Sequence, residues 1–203
     1  MSIRLKVANT AEELDDVFKL RHEVFIQERN KYTSSSLDYN RIVNHFDTLP
    51  DVANIVAYAG SKAIATMRVS KDSQIGLPAE EYYDFSDIRA RLKKKYQDSK
   101  GQEPVIVCGS MLAIHKDWRN KKNVIFALFK TAAGVMYSWG ATHAISTVSE
   151  DSLSLYGRLG CEAVSEPTWN ESIGDTLIPL LLSLIHISEP TRPTRASRMP
   201  SSA

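Results

Sequence analysis

"LAIHKDWRNKKNVIFALFKTA", Leu112 to Ala132, decides how this chain is read. Its first residues end a near-continuous apolar stretch, "EPVIVCGSMLAIHK" (103–116), the pattern of a central strand buried on both faces. Its last residues open an apolar-faced helix predicted over 120–139. The turn between them is basic and lacks glycine: Arg119, Asn120, Lys121 and Lys122. A strand entering a helix this way aims free N–H groups and the positive end of the helix dipole at an anion. Cations at a helix start oppose the dipole, so three of them favour a phosphate-bearing partner over a merely solvated turn.

Outward from this corner, the sequence predicts one domain with the order β-α-ββ-α-β-α-β-α-β, an α/β (α+β) arrangement with mixed sheet connections. "SIRLKVA" (2–8) alternates as a strand, and Thr10 with Glu13 caps a helix carrying Leu14, Val17, Phe18, Leu20, Val24 and Phe25. Residues 31–51 form a long polar loop, and Gly60-Ser61 joins the hairpin strands "NIVAYAG" and "KAIATMRVS". A basic helix, the central strand, the helix after the corner, the strand "THAISTV", a short helix closed by Gly160, "CEAVS" and a final strand "DTLIPLL" complete the order.

Lys+Arg 25 against Asp+Glu 24 gives no global field for nucleic acid or an anionic membrane. Cys108 and Cys161 lack metal or disulfide spacing and read as reduced core thiols. The N-terminus has no signal-peptide core, and "TLIPLLLSLIHI" is too short to span a bilayer, so a cytoplasmic protein without integral membrane association is expected. From Leu182 the composition shifts to Pro, Ser, Thr and Arg. Leu182 to Arg192 is the translation of a DNA string resembling the mosaic end and adapter of tagmentation libraries, and Ser197 to Ala203 fits a frame of the adapter arm. The expected division is therefore a domain over 1–181, truncated at its C-terminus, and a non-native, disordered adapter-encoded tail over 182–203.

The central strand, the "HKDWRNKKN" corner with its helix, and "SLYGRLGCEAV" together resemble the GCN5-related N-acyltransferase superfamily. "LRHEVFIQE", Leu20 to Glu28, and "GSMLAIHKDWRNK" are similar to the acyl-homoserine-lactone synthases and their relatives, the N-acyl amino acid synthases. The resemblance implies a mixed, mainly antiparallel central sheet flanked by helices. It also implies transfer of a fatty acyl group from an acyl carrier protein thioester to the amine of an amino acid or other small molecule. In coenzyme A enzymes of this fold, glycines let main-chain N–H groups approach a pyrophosphate; here Arg119 keeps the arginine place, while Lys122 and Val124 replace glycines. The side-chain cations suit the single phosphodiester of an acyl-phosphopantetheine on an acidic carrier protein, a donor substrate and not a permanently bound cofactor. Acyl-CoA as donor to an N-acetyltransferase with a divergent phosphate loop is the alternative. A non-catalytic acyl-chain or carrier-binding module is a third.

Carried over with the resemblance, Tyr156 takes the place of a general acid for the leaving thiolate. Main-chain N–H groups around Ser110, Met111 and Leu112 would hold the oxyanion, with Gly109 permitting a bulge. Cys108 and Met111 stand where the lactone synthases place a glutamate and an arginine, which argues against S-adenosylmethionine as acceptor. Arg21, Phe25, Asp47 and Arg68 match favoured positions. The two arginines would either grip an acceptor carboxylate across the pocket mouth or belong to an internal Arg–Asp network. Phe25, Val24 and Met67 would line an acyl tunnel or simply the core. For the proton of the amine, Glu23, Asp38, Asp47, His45, His115 and water stay open. No metal site is expected.

Overall fold

The computed structural model describes residues 2–32 and 40–185. Eight strands, β1 (Ile3–Val7), β2 (Val52–Ala59), β3 (Lys62–Lys71), β4 (Ile106–Ile114), β5 (His143–Ser149), β6 (Glu162–Ala163), β7 (Thr168–Asn170) and β8 (Asp175–Ser183), form one sheet. Its order is β1-β2-β3-β4-β5-β8-β6, with β7 also on β8. Among the described residues, only the central β4–β5 ladder is parallel. A parallel neighbour needs a crossover, and the helix α3 (Lys122–Ser138) supplies it. The fold is thus the mixed, mainly antiparallel single-domain sheet with flanking helices that the resemblance implies.

Alternation along the strands assigns the helices to faces. On β2, Ile55, Ala57 and Ala59 join Val124, Leu128, Ala132 and Met136 of α3 in one cluster. Val56 and Tyr58, pointing the other way, pack with Val17 of α1 (Ala11–His22). Ile106 and Cys108 of β4 and Ile145 of β5 meet Ile88 and Leu92 of α2 (Ser86–Lys100) on the α1 face. Tyr156 of the short α4 (Leu153–Gly157) meets Val148, Ile178 and Leu180 on the α3 face. Thr10 starts α1 as predicted, its Oγ1 accepting from the Glu13 N–H at 3.2 Å.

Three features depart from the sequence reading. The first helix changes at Glu23 to a π-helical segment, Glu23–Glu28, a wider winding that turns Phe25 off the α-helical stripe. β7, too short for a periodic signal, was not expected. β8 continues past Leu181: Leu182 and Ser183 pair with Ala144 and His143, and Leu182 and Leu184 pack against the main core. Residues 186–203, including His186 and the rest of the expected tail, lie outside the described residues, as does Asp38.

Candidate active site

β4 and β5 pair only from Ile106–Cys108 against His143–Ile145, and then diverge. The divergence coincides with a bulge in β4. Arg68 of β3 faces Ser110 and Thr66 faces Ala113, so Met111 and Leu112 together oppose the single residue Met67. Met111 takes φ 53°, a left-handed conformation costing a non-glycine residue about 1–3 kcal/mol. Gly109 makes the neighbouring close approach possible: a Cβ there would stand 2.8 Å from Met67 Cε. Its carbonyl accepts from Ser146 Oγ at 2.9 Å. Beyond it, the β4 edge over Ser110–Leu112 has no strand partner across the notch, which leaves main-chain groups available to a ligand.

Three cavities border β4 at the bulge. The notch cavity, about 110 Å3, is lined by Gly109 to Leu112, Thr147 to Ser149 and Tyr156, with Phe25, Arg29, Lys31 and Tyr32 closing its mouth. On the α3 face lies an apolar cavity, also about 110 Å3, walled by Met67, Phe129, Ala132, Met136, Leu180 and Leu182. Gly109 and Tyr156 belong to both. On the α1 face a smaller polar cavity, about 60 Å3, is lined by Arg68, Glu81, Asn44, Cys108 and Ser110. It shares Tyr32, Tyr82, Ser110, Met111 and Thr147 with the notch. Tyr32 carries φ 64°, and its hydroxyl donates to Met111 Sδ at 3.9 Å, so two strained residues touch where the cavities join.

Tyr156 is buried edge-on to Phe129, with ring centroids 5.5 Å apart. Burial pushes its phenol above the usual tyrosine range and keeps the proton on. Burial also lifts Cys108 to about 12 and Cys161 to about 11, so neither is a thiolate at neutral pH.

The arginines do not meet across an open mouth. Arg21 is fully buried, donating from Nη1 to both Asp47 oxygens at 3.0 and 3.1 Å and from Nη2 to Asn54. Arg68 donates to Ser110 Oγ at 3.1 Å and Asn44 Oδ1 at 2.6 Å, and stands 3.1 Å from Asp47 Oδ2. This is the internal Arg–Asp network, and Arg21 lines none of the three cavities. Burial alone would raise the Asp47 carboxyl, but Arg21 and Arg68 outweigh it and hold it below the usual carboxylate range. Asp47 is the buried counterion of both arginines and lines none of the three cavities. Arg68 alone keeps a wall of the polar cavity.

The corner is divided as well. Arg119 turns back to the π segment, ion-paired with Glu28 and donating to the Ile114 carbonyl at 2.9 Å. The reason is a carboxylate placed 91 residues earlier in the chain, whose pairing sequence spacing cannot show. Asn120, Lys121 and Lys122 are exposed, and α3 begins with no acidic residue and no side-chain cap. Val124 is buried in the core and does not face the turn. His115 sits between Glu23 Oε1, 3.2 Å from Nε2, and Lys62 Nζ at 3.0 Å, away from all three cavities. Glu23 belongs to that cluster. His45 lies beside the polar cavity, 3.6 Å from Glu81.

Sequence reading missed Tyr32, Tyr82, Glu81, Arg29 and Lys31. Lys31 is held by Asp175 and by Ser149 Oγ at 2.8 Å, and Arg29 by Asp151 at 3.3 Å. Of these only Lys31 and Tyr32 carried a hint, the unusual length of the loop that they open.

Solved structures share this fold at low identity. FeeM, an N-acyl amino acid synthase from uncultured soil microbes, superposes with a TM-score of 0.70 at 11% identity, covering 90% of this chain and 91% of its own. The acyl-homoserine-lactone synthase LasI gives 0.62 at 13%, covering 90% of each chain. A GNAT-family acetyltransferase from Streptococcus pneumoniae gives 0.56 at 12%, covering 90% and 99%. No curated protein matches by sequence. No helix among the described residues is long and apolar enough to cross a membrane. The family model described as N-acyl amino acid synthase FeeM matches residues 16–183, from α1 through the whole of β8. That match makes the chain a member of the FeeM N-acyl amino acid synthase family, an acyltransferase, and its fold is that of the GNAT proteins.

Proposed function

We propose that this enzyme moves a long-chain fatty acyl group from the phosphopantetheine thioester of an acyl carrier protein to the α-amine of an amino acid. The observation that carries the reading is the presence, beside one strained bulge, of an apolar cavity on one face of the sheet and a polar, arginine-walled cavity on the other. The acyl chain lies in the first, between Met67 and Leu180. The acceptor enters the second with its carboxylate toward Arg68. The thioester carbonyl sits between them, its developing oxyanion on the main-chain N–H groups of Ser110 to Leu112. Tyr156, common to the notch and the apolar cavity, protonates the departing sulfur. The exposed Lys121 and Lys122, with Asn120, meet the donor phosphate and the carrier surface, and Arg119 braces the corner.

The test is incubation with palmitoyl carrier protein or acetyl-coenzyme A plus pooled amino acids, and mass spectrometry of the amides. Long-chain amides from the carrier thioester support the reading. Acetyl amides alone turn it into an acetyltransferase, and no amide from either donor leaves a binding module. Two variants refine it. Lys121→Ala with Lys122→Ala is expected to raise KM for the carrier roughly 3–30-fold at low salt, an effect shrinking at high salt. Gly109→Val drives Met67 into the apolar cavity and is expected to slow palmitoyl transfer about 10–200-fold relative to short acyl groups. Equal slowing for all chain lengths would remove that cavity from acyl binding.

A further inference from the structure

We infer that Glu81, with His45 behind it, is the base that takes the proton from the attacking amine; this rests on the acyl-transfer reading above. An amine reaching a neutral cavity arrives as an ammonium ion and must lose protons to become a nucleophile and then an amide. Among the described residues lining the three cavities, Glu81 is the one carboxylate, and no histidine lines them. Both lining cysteines are held as thiols by burial. Lys31 is tied to Asp175 and Ser149.

The local fold explains why Glu81 and not its neighbour faces the cavity. Pro78–Glu81 forms a 3-10 turn after β3. Glu80 accepts from the Leu77 N–H at 2.8 Å and from Arg89 Nε at 2.6 Å, and so closes the turn. Glu81, one residue on, is left toward the cavity. The groups facing it are Tyr32 and Tyr82, whose phenols burial raises and its charge raises a little further, Arg68 across the cavity, and His45 from the loop, 3.6 Å from Oε1. The Glu81 side chain is itself 36% exposed and that of His45 57%, so a proton on the carboxylate reaches solvent directly or through the imidazole.

The protons balance. One ammonium proton leaves through Glu81 to water, directly or by way of His45, before attack. The nitrogen lone pair forms the C–N bond, and Glu81 takes a second proton as the nitrogen becomes cationic. The C–S bond breaks toward sulfur, which receives the Tyr156 proton; the proton on Glu81 returns through solvent to the tyrosinate. The third ammonium proton remains on the amide.

The test compares Glu81→Gln with wild type on two acceptors under one acyl donor: the preferred amino acid, and hydroxylamine, which is already unprotonated at neutral pH. The variant is expected to lose about 10²-fold or more in kcat/KM with the amino acid and no more than about tenfold with hydroxylamine, which needs only the second of the two proton removals. Glu81→Asp is expected to recover part of the loss. Equal loss with both acceptors makes Glu81 structural, and no loss with either removes it from the chemistry; both results overturn the inference. Wild-type enzyme forming no amide would instead defeat the acyl-transfer reading itself.

Discussion

Asp47→Asn is expected to lose about 3–5 kcal/mol of stability, the penalty for stranding a buried charge. Here two guanidinium groups would be stranded, since the Asp47, Arg21 and Arg68 side chains are all at most 1% exposed. For a domain of this size that lowers Tm by roughly 6–20 °C. The same network ties Asn44 and Asp47 on the loop to Ser110 on the bulge through Arg68, so the polar cavity should lose its wall along with the stability. The pH dependence has a fixed sign. Because the folded carboxyl lies below its ordinary range, its contribution is present above the unfolded value near ~4 and is lost as pH falls through the folded one. Thermal melts between pH 2 and 5 should therefore show wild type falling more steeply than Asp47→Asn, the other lowered carboxylates, Glu13, Asp15 and Asp175 among them, titrating in both. Parallel curves would mean that Asp47 is not the counterion of the pair.

Tyr156→Phe is expected to reduce kcat about 10²–10⁴-fold, the range for losing a positioned general acid, with little change in donor binding. The phenol is buried and its pKa raised above the tyrosine range, so it stays protonated until a thiolate of rising basicity forms beside it. Only the hydroxyl is lost, and the edge-on packing against Phe129 is kept. A donor whose leaving group is a thiophenolate carrying an electron-withdrawing substituent needs no proton, and the variant should turn it over at close to the wild-type rate. If the variant slows both donors equally, Tyr156 is a packing residue.

What the sequence made legible was what local chemistry dictates. Gly60-Ser61 joins β2 to β3, Thr10 caps α1, and the unbroken apolar run of β4 lies at the centre of the sheet. Gly109 marked the bulge, because a strand interior rarely omits a Cβ without a close approach to explain it. The strain at Met111 carries no such mark: a methionine in a strand pattern predicts extended backbone, and tertiary packing overrides it. Likewise "LRHEVFIQE" keeps helical spacing while its second half winds as a π-helix. Charges were the least legible. Arg21 and Arg68 looked alike from the sequence, and only the positions of Asp47 and Asn54 separate a core arginine from one that walls a cavity. Arg119 looked like a phosphate ligand until Glu28 claimed it. Glu81 had no signal, standing next to an identical residue whose role is to close a turn.

The division of labour between the two faces of the sheet is tested most directly by a crystal structure of the enzyme with an N-palmitoyl amino acid bound. The account predicts the alkyl chain on the α3 face between Met67 and Leu180, the amide at the Met111 bulge, and the carboxylate beside Arg68. A chain lying on the α1 face, or a carboxylate directed away from Arg68 toward Lys121, would contradict it.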